Sequence, residues 1–236
     1  MSIARHTSQR FDEELHGVHD LVHTMAGVVE EQFRNALTAL QNQDLELAGE
    51  VISGDSVVNG YEVRIEDECI GILARRQPAA GDLRLVMTLI KSIADLERIG
   101  DKAAKIASMV ISMSHGARSI HPGFLRDVRV MGDFALNMLH RSMDALARAD
   151  VDLAIEIAKG DEELNQEYRA AMRRLITYMM EDPRTITPAI DALFIAKAIE
   201  RVGDHARNVC EYVIYLAKGM NVRHLPIEQV AKEIQD

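Results

Sequence analysis

Apolar residues recur along almost the whole chain at intervals of three and four. Leu15, Val18, Val22, Met25 and Val29 form one such stripe, which is the pattern of a helix with one face turned to a core. It predicts a first helix over about 11–40, closed by the polar turn Gln41-Asn42-Gln43-Asp44, and a second ending near Arg76, where Pro78 stops it. A third helix starts near Ala80 or Asp82 and continues to about Ser114. Glycines, a proline and histidines between His115 and Gly123 mark the junction of two halves. A fourth helix is expected over 123–149 and a fifth over 152–180. After the Asp182-Pro183 break a sixth follows, with Pro188 in its first turn and its end near Lys218. The last sixteen residues read as a loose tail or a short extra helix. No alternating strand pattern of useful length appears. Helices of about 25–35 residues joined by short turns pack antiparallel.

The halves repeat one another. Glu97-Arg98-Ile99-Gly100-Asp101-Lys102-Ala103 returns as Glu200-Arg201-Val202-Gly203-Asp204-His205-Ala206, and Gly54-Asp55 with Asn59 returns as Gly160-Asp161 with Asn165. Order is kept, and spacing nearly so: 42 residues separate Asp55 from Glu97, and 39 separate Asp161 from Glu200. A duplicated unit explains this. The expected fold is all-α, two tandem pseudo-symmetric three-helix bundles of long antiparallel helices, divided as 1–116 and 117–236.

Composition narrows the functional classes. With 47% apolar residues but no Trp, five Phe and five Tyr, the core is aliphatic, which suits close-packed helices better than sheets. The net charge is −10 with Lys and Arg dispersed, so no nucleic acid is expected as a direct partner. Cys69 and Cys210 stand far apart in helical contexts and read as small buried hydrophobes of a reducing compartment. No membrane span and no signal peptide are read from the sequence, so the expected location is the cytoplasm.

The chemistry lies in the repeated acids. Residues four apart share a helix face, which pairs Glu97 with Asp101, Glu200 with Asp204, Asp55 with Asn59 and Asp161 with Asn165. These pairs border the apolar stripe, and in the second helix the acidic row continues through Glu62 and Glu66. Two readings stay open. Hard cations prefer such oxygen donors, so helices two and three, and five and six, could each build a metal site. Alternatively Arg98 and Arg201 clasp the acids across helices, with Gly100, Ala103 and Ala104 permitting close approach. A di-iron enzyme would need a Glu-x-x-His pairing that neither half has beside these acids.

Other features carry less. His16, His19 and His23 share a face and suit either a solvated edge or zinc. Asp82 is placed to cap the third helix or to favour its N-terminal dipole. Met131, Met138, Met172, Met179 and Met180 suit either self-association or the core. Phosphate loops, nucleophile elbows, His-Glu-x-x-His and Cys-x-x-Cys are all missing from the sequence, which weakens an enzymatic reading.

At the duplicated Glu-Arg-[Ile/Val]-Gly-Asp-x-Ala segments, the Gln77-Pro78…Asp82-Leu83-Arg84 stretch and the Asp-x-x-x-Asn pairs, the sequence resembles the PhoU family of phosphate-transport regulators, from about Phe11 to Met220. The resemblance implies paired three-helix bundles, frequently homodimeric. It also implies a negative regulator of the phosphate-starvation response, with a phosphate ABC-transporter ATPase and a sensor histidine kinase as partners. Some family members bind metal clusters through Glu-x-x-x-Asp motifs. Carried over, this implies Glu97, Asp101, Glu200 and Asp204 as ligands of Mg, Mn, Zn or Fe, with Asp55, Asn59, Asp161 and Asn165 completing the set. Lys105 and Asn208 stand where the motif can carry a third acid. A metal-dependent hydrolase or a metal-storage protein are the competing classes.

Overall fold

A computed structural model describes residues 9–115, 121–223 and 225–235. These form seven α-helices and no strand: α1 Gln9–Asn42, α2 Leu45–Arg76, α3 Ala80–His115, α4 Pro122–Arg148, α5 Val151–Glu181, α6 Ile186–Lys218 and α7 Ile227–Gln235. One 3-10 turn, Pro183–Thr185, leads into α6. The junction expected at His115–Gly123 and the 116/117 boundary lie largely outside the described residues.

Each predicted helix forms within a few residues of its expected bounds. In α1, 34 residues and therefore about 50 Å long, the whole stripe from Leu15 to Val29 is buried. Helices α1, α2 and α3 pack on one another, as do α4, α5 and α6, and the two bundles join where α3 lies along α6 and α1 along α4. All the buried apolar side chains form one continuous core. The C-terminal tail is the short helix α7, which tucks Val230 and Ala231 against the second bundle.

The duplication extends to the turns. Gln43 and Ala149 take left-handed conformations, φ 53° and 50°. The next residues, Asp44 and Asp150, then cap α2 and α5 by accepting from the Leu47 and Leu153 amides, both at 3.0 Å. Such caps contribute about 1 kcal/mol each. Asp82 takes the dipole role of the two expected of it: α3 begins two residues earlier, so Asp82 sits in the first turn, where its charge favours the helix dipole. His121 instead caps α4, accepting from the Gly123 amide at 3.1 Å, with Pro122 opening the helix.

The motif glycines work alike in both copies. A Cβ on Gly100 would press on Gln32, Val58 and Asp55, and one on Gly203 would collide with Leu164 and approach Met138. Gln32 and Met138, and Val58 and Leu164, are equivalent positions 106 residues apart. Glycine suits both positions because a side chain there would meet the first and second helices of its bundle.

Candidate functional site

Both repeated motifs face the second helix of their own bundle, as the spacing predicts, but the two copies differ in charge. In the first, Asp55 accepts from Gln32 Nε2 at 3.2 Å and lies 3.5 Å from Asn59 Nδ2. Beside it stand Glu97, Asp101 and Glu62. Burial, then the charges of Asp101, Glu62 and Asp55, push the Glu97 carboxyl up, and Arg98 only partly offsets them. Burial and Glu66 do the same to Glu62. Among the described residues Glu62, Glu97 and Asp101 make no hydrogen bond or ion pair. Lys105 is exposed and pairs with none of them.

In the second copy every acid has a cation. Asp161, 4% exposed, accepts from Asn165 at 3.1 Å and from Arg207 Nη1 at 3.2 Å. Burial and the Asp204 charge raise its pKa, and Arg207 opposes them. Glu200 is also buried. Lys197 Nζ lies 2.6 Å from both its oxygens, although only Oε1 receives a well-oriented hydrogen bond. Arg201 pairs with Asp204 at 2.7 Å.

The expected clasp thus takes a different form. Arg201 bonds within its own helix and Arg98 pairs with nothing among the described residues. The cross-helix bridge is made by Arg207, which lies outside the motif. At the first-copy positions equivalent to Lys197 and Arg207 the chain has Ala94 and Ala104, and where the second copy has Tyr168 the first has Glu62. The second copy is neutralised internally, while the first has alanines in place of two cations that reach the second-copy acids and an additional acid, Glu62.

The first copy's donor set is all oxygen and, apart from the amide contacts of Asp55, unpartnered among the described residues, which suits a hard cation. Among the described residues, however, no three His, Cys, Asp or Glu side chains converge on a single metal position. The arrangement therefore fits an ion that keeps part of its water shell and touches one or two carboxylates, as Mg²⁺ does.

Between the bundles the sequence reading missed a second polar centre. Asp95 of α3, 1% exposed, accepts from three side chains of α6: His205 Nδ1 at 2.7 Å, Asn208 Nδ2 at 3.0 Å and the Tyr212 hydroxyl at 2.8 Å. Its signal was present. Thr88, Ser92 and Asp95 stand at core spacing within the apolar face of α3, and all three are buried.

The remaining candidates resolve simply. His19 and His23 stack at 4.5 Å, and burial pushes both pKa values down, while His16 is exposed and donates to the Asp12 carbonyl. Both cysteines are buried, and burial drives the Cys69 thiol up to about 12. Met131 and Met138 are core, whereas Met180 is exposed.

Two like bundles, each with a carboxylate site at the seam of its second and third helices, define a class of helical scaffold. The chain belongs to the PhoU family: the PhoU domain matches residues 22–110 and 128–213. It is 45% identical over 234 residues to the phosphate-specific transport system accessory protein PhoU homolog of Pseudomonas putida, covering 99% of this chain and 91% of that protein. It is 44% identical over 232 residues to the phosphate-specific transport system accessory protein PhoU of Escherichia coli K12, covering 98% and 95%. The crystal structure of PhoU from Pseudomonas aeruginosa superposes with a TM-score of 0.85 at 43% identity, over 89% of this chain and 100% of that one. The phosphate transport system regulatory protein PhoU of Streptococcus pneumoniae gives 0.83 at 32%, over 90% and 99%. No described helix is long and apolar enough to cross a membrane.

Proposed function

We propose that this chain is a cytoplasmic negative regulator of the phosphate-starvation response, an adaptor and not an enzyme. In this reading it works as a homodimer, linking the ATPase of a high-affinity phosphate ABC transporter to a sensor histidine kinase and keeping the kinase quiet when phosphate is plentiful. The observation that carries the reading is near-full-length similarity to proteins named as accessory to, or regulators of, phosphate transport. An available docking face supports it. On the outer side of α2, Leu45, Ile52, Val63 and Ile70 are exposed and fall within about 20° of one another around the helix. Among the described residues only α1 and α3 pack against α2, and none covers this row.

The first-copy acids add a cation to the account. A hydrated Mg²⁺ or Mn²⁺ would sit among Glu62, Glu97, Asp101 and Asp55 and touch one or two of them, with Zn or Fe as less suited ions because no histidine or cysteine stands among them. The ion's chemistry there is neutralisation of a repulsive acidic rim, which then admits an acidic or phosphorylated partner surface. Asn59 is the neutral donor beside it. The second-copy residues Asp161, Asn165, Glu200 and Asp204 hold their own cations, Lys197, Arg201 and Arg207, and serve as a structural counterpart.

Deleting the gene is expected to switch on phosphate-starvation genes in phosphate-rich medium, read with a reporter of the response. Expression that stays repressed in the deletion strain would contradict the regulatory role.

A further inference from the structure

Although basic residues are dispersed along the sequence, the fold gathers four arginines around one cleft of about 480 Å³ at the α3–α6 join: Arg98, Arg201, Arg207 and Arg223. Two of them are already neutralised. Arg201 pairs with Asp204 at 2.7 Å, and Arg207 with Asp161 at 3.2 Å and Glu211 at 3.4 Å. The other two are not. Neither Arg98 nor Arg223 has a carboxylate within 4 Å among the described residues, and the Arg223 guanidinium lies over the Tyr212 ring at 5.4 Å and donates through Nη2 to the Tyr212 hydroxyl at 3.3 Å.

We propose that this cleft binds a phosphate-type dianion, free or carried on a small ester. Guanidinium groups present planar pairs of donors that match phosphate oxygens, and Arg98 and Arg223, which share no ion pair in the cleft, offer two such forks to one tetrahedral anion. A planar carboxylate, with two oxygens, would satisfy only one of them. The floor is rigid, because Asp95 accepts from His205, Asn208 and Tyr212 at once and so fixes three of the lining side chains. Polyanions fit poorly: Asp204 and Glu211 also line the cleft, and the chain as a whole carries −10. A small anion meets only the local charge. This site does not depend on the regulatory reading, since the same arginines would bind the same anion in a protein with another role.

Titration calorimetry in chloride buffer tests it, with inorganic phosphate in one arm and AMP in the other. Wild-type protein should bind at least one of them saturably. The exposed pair R98Q/R223Q should lose about tenfold in affinity per arginine removed, with an unchanged melting temperature. R169Q/R184Q, which removes two charges outside the cleft, should bind as wild type does. If the double variant melts early, R98Q and R223Q are read singly. Saturation by phosphate alone identifies the free ion as ligand, and tighter binding of AMP identifies the ester; both support the site. Failure of either ligand to saturate up to about 10 mM, or equal weakening in both double variants, overturns it.

Discussion

Replacing Asp95 with alanine is expected to destabilise the protein by about 3–5 kcal/mol in urea unfolding. The carboxylate is buried at the join of the bundles and serves three donors of α6. Its loss leaves the buried Tyr212 hydroxyl without its acceptor, which costs about 1–3 kcal/mol, and removes the acceptor of the half-buried His205 and Asn208, where water in the cleft offsets part of the cost. Asp95→Asn keeps the shape but turns an amide toward donors, so it should fall between. The effect also has a pH signature. Burial opposes the charge on Asp95, but the bonds from His205, Asn208 and Tyr212 outweigh it and hold the pKa below the ordinary 3.8. A carboxyl depressed by folding contributes stability that is complete above its ordinary value and is lost as pH falls through the folded one. Wild type should therefore weaken below about pH 4, and the alanine variant should show a flatter acid limb.

Lys197→Met is expected to cost about 2 kcal/mol at neutral pH. It removes the ammonium 2.6 Å from the buried Glu200 and leaves Arg201, at 3.9 Å, as its nearest cation. Breaking a fully buried pair from one side costs about 3–5 kcal/mol. Lys197 is 38% exposed, so water screens the pair and the smaller figure applies. Lys197→Met combined with Glu200→Gln should recover most of the loss in a double-mutant cycle.

The helices were legible in the sequence because each apolar stripe is long and Pro78, Pro122 and Pro183 punctuate the stripes without ambiguity. The repeat was legible because the residues adjacent in sequence to Gly100 and Gly203 match closely, Glu-Arg-Ile before one and Glu-Arg-Val before the other, with Asp after both. The charge difference between the copies was not. Lys197 and Arg207 stand three residues before and seven after Glu200, outside any motif, and only helix geometry shows that they reach its acids. The resemblance of Arg98 to Arg201 misled in the same way: identical neighbours in sequence meet different neighbours in space. Asp95 could have been found as an acid at core spacing, but its partners lie more than a hundred residues away. The arginine cleft, drawn from positions between 98 and 223, has no sequence signature at all.

The two sister motifs are electrostatically unequal, and a cation from solution is expected to bind the first alone. Thermal melting with and without Mg²⁺ or Mn²⁺ tests this most directly, using wild type, E97Q/D101N, E200Q/D204N and A94K. A ligand at ten times its Kd adds about 1.4 kcal/mol, or roughly 3–6 °C for a chain of this size. The account predicts that shift in wild type and E200Q/D204N. It predicts none in E97Q/D101N, or in A94K, where the added ammonium takes the ion's place. Equal shifts in all four proteins, or a shift abolished only by the second-copy substitutions, would contradict it.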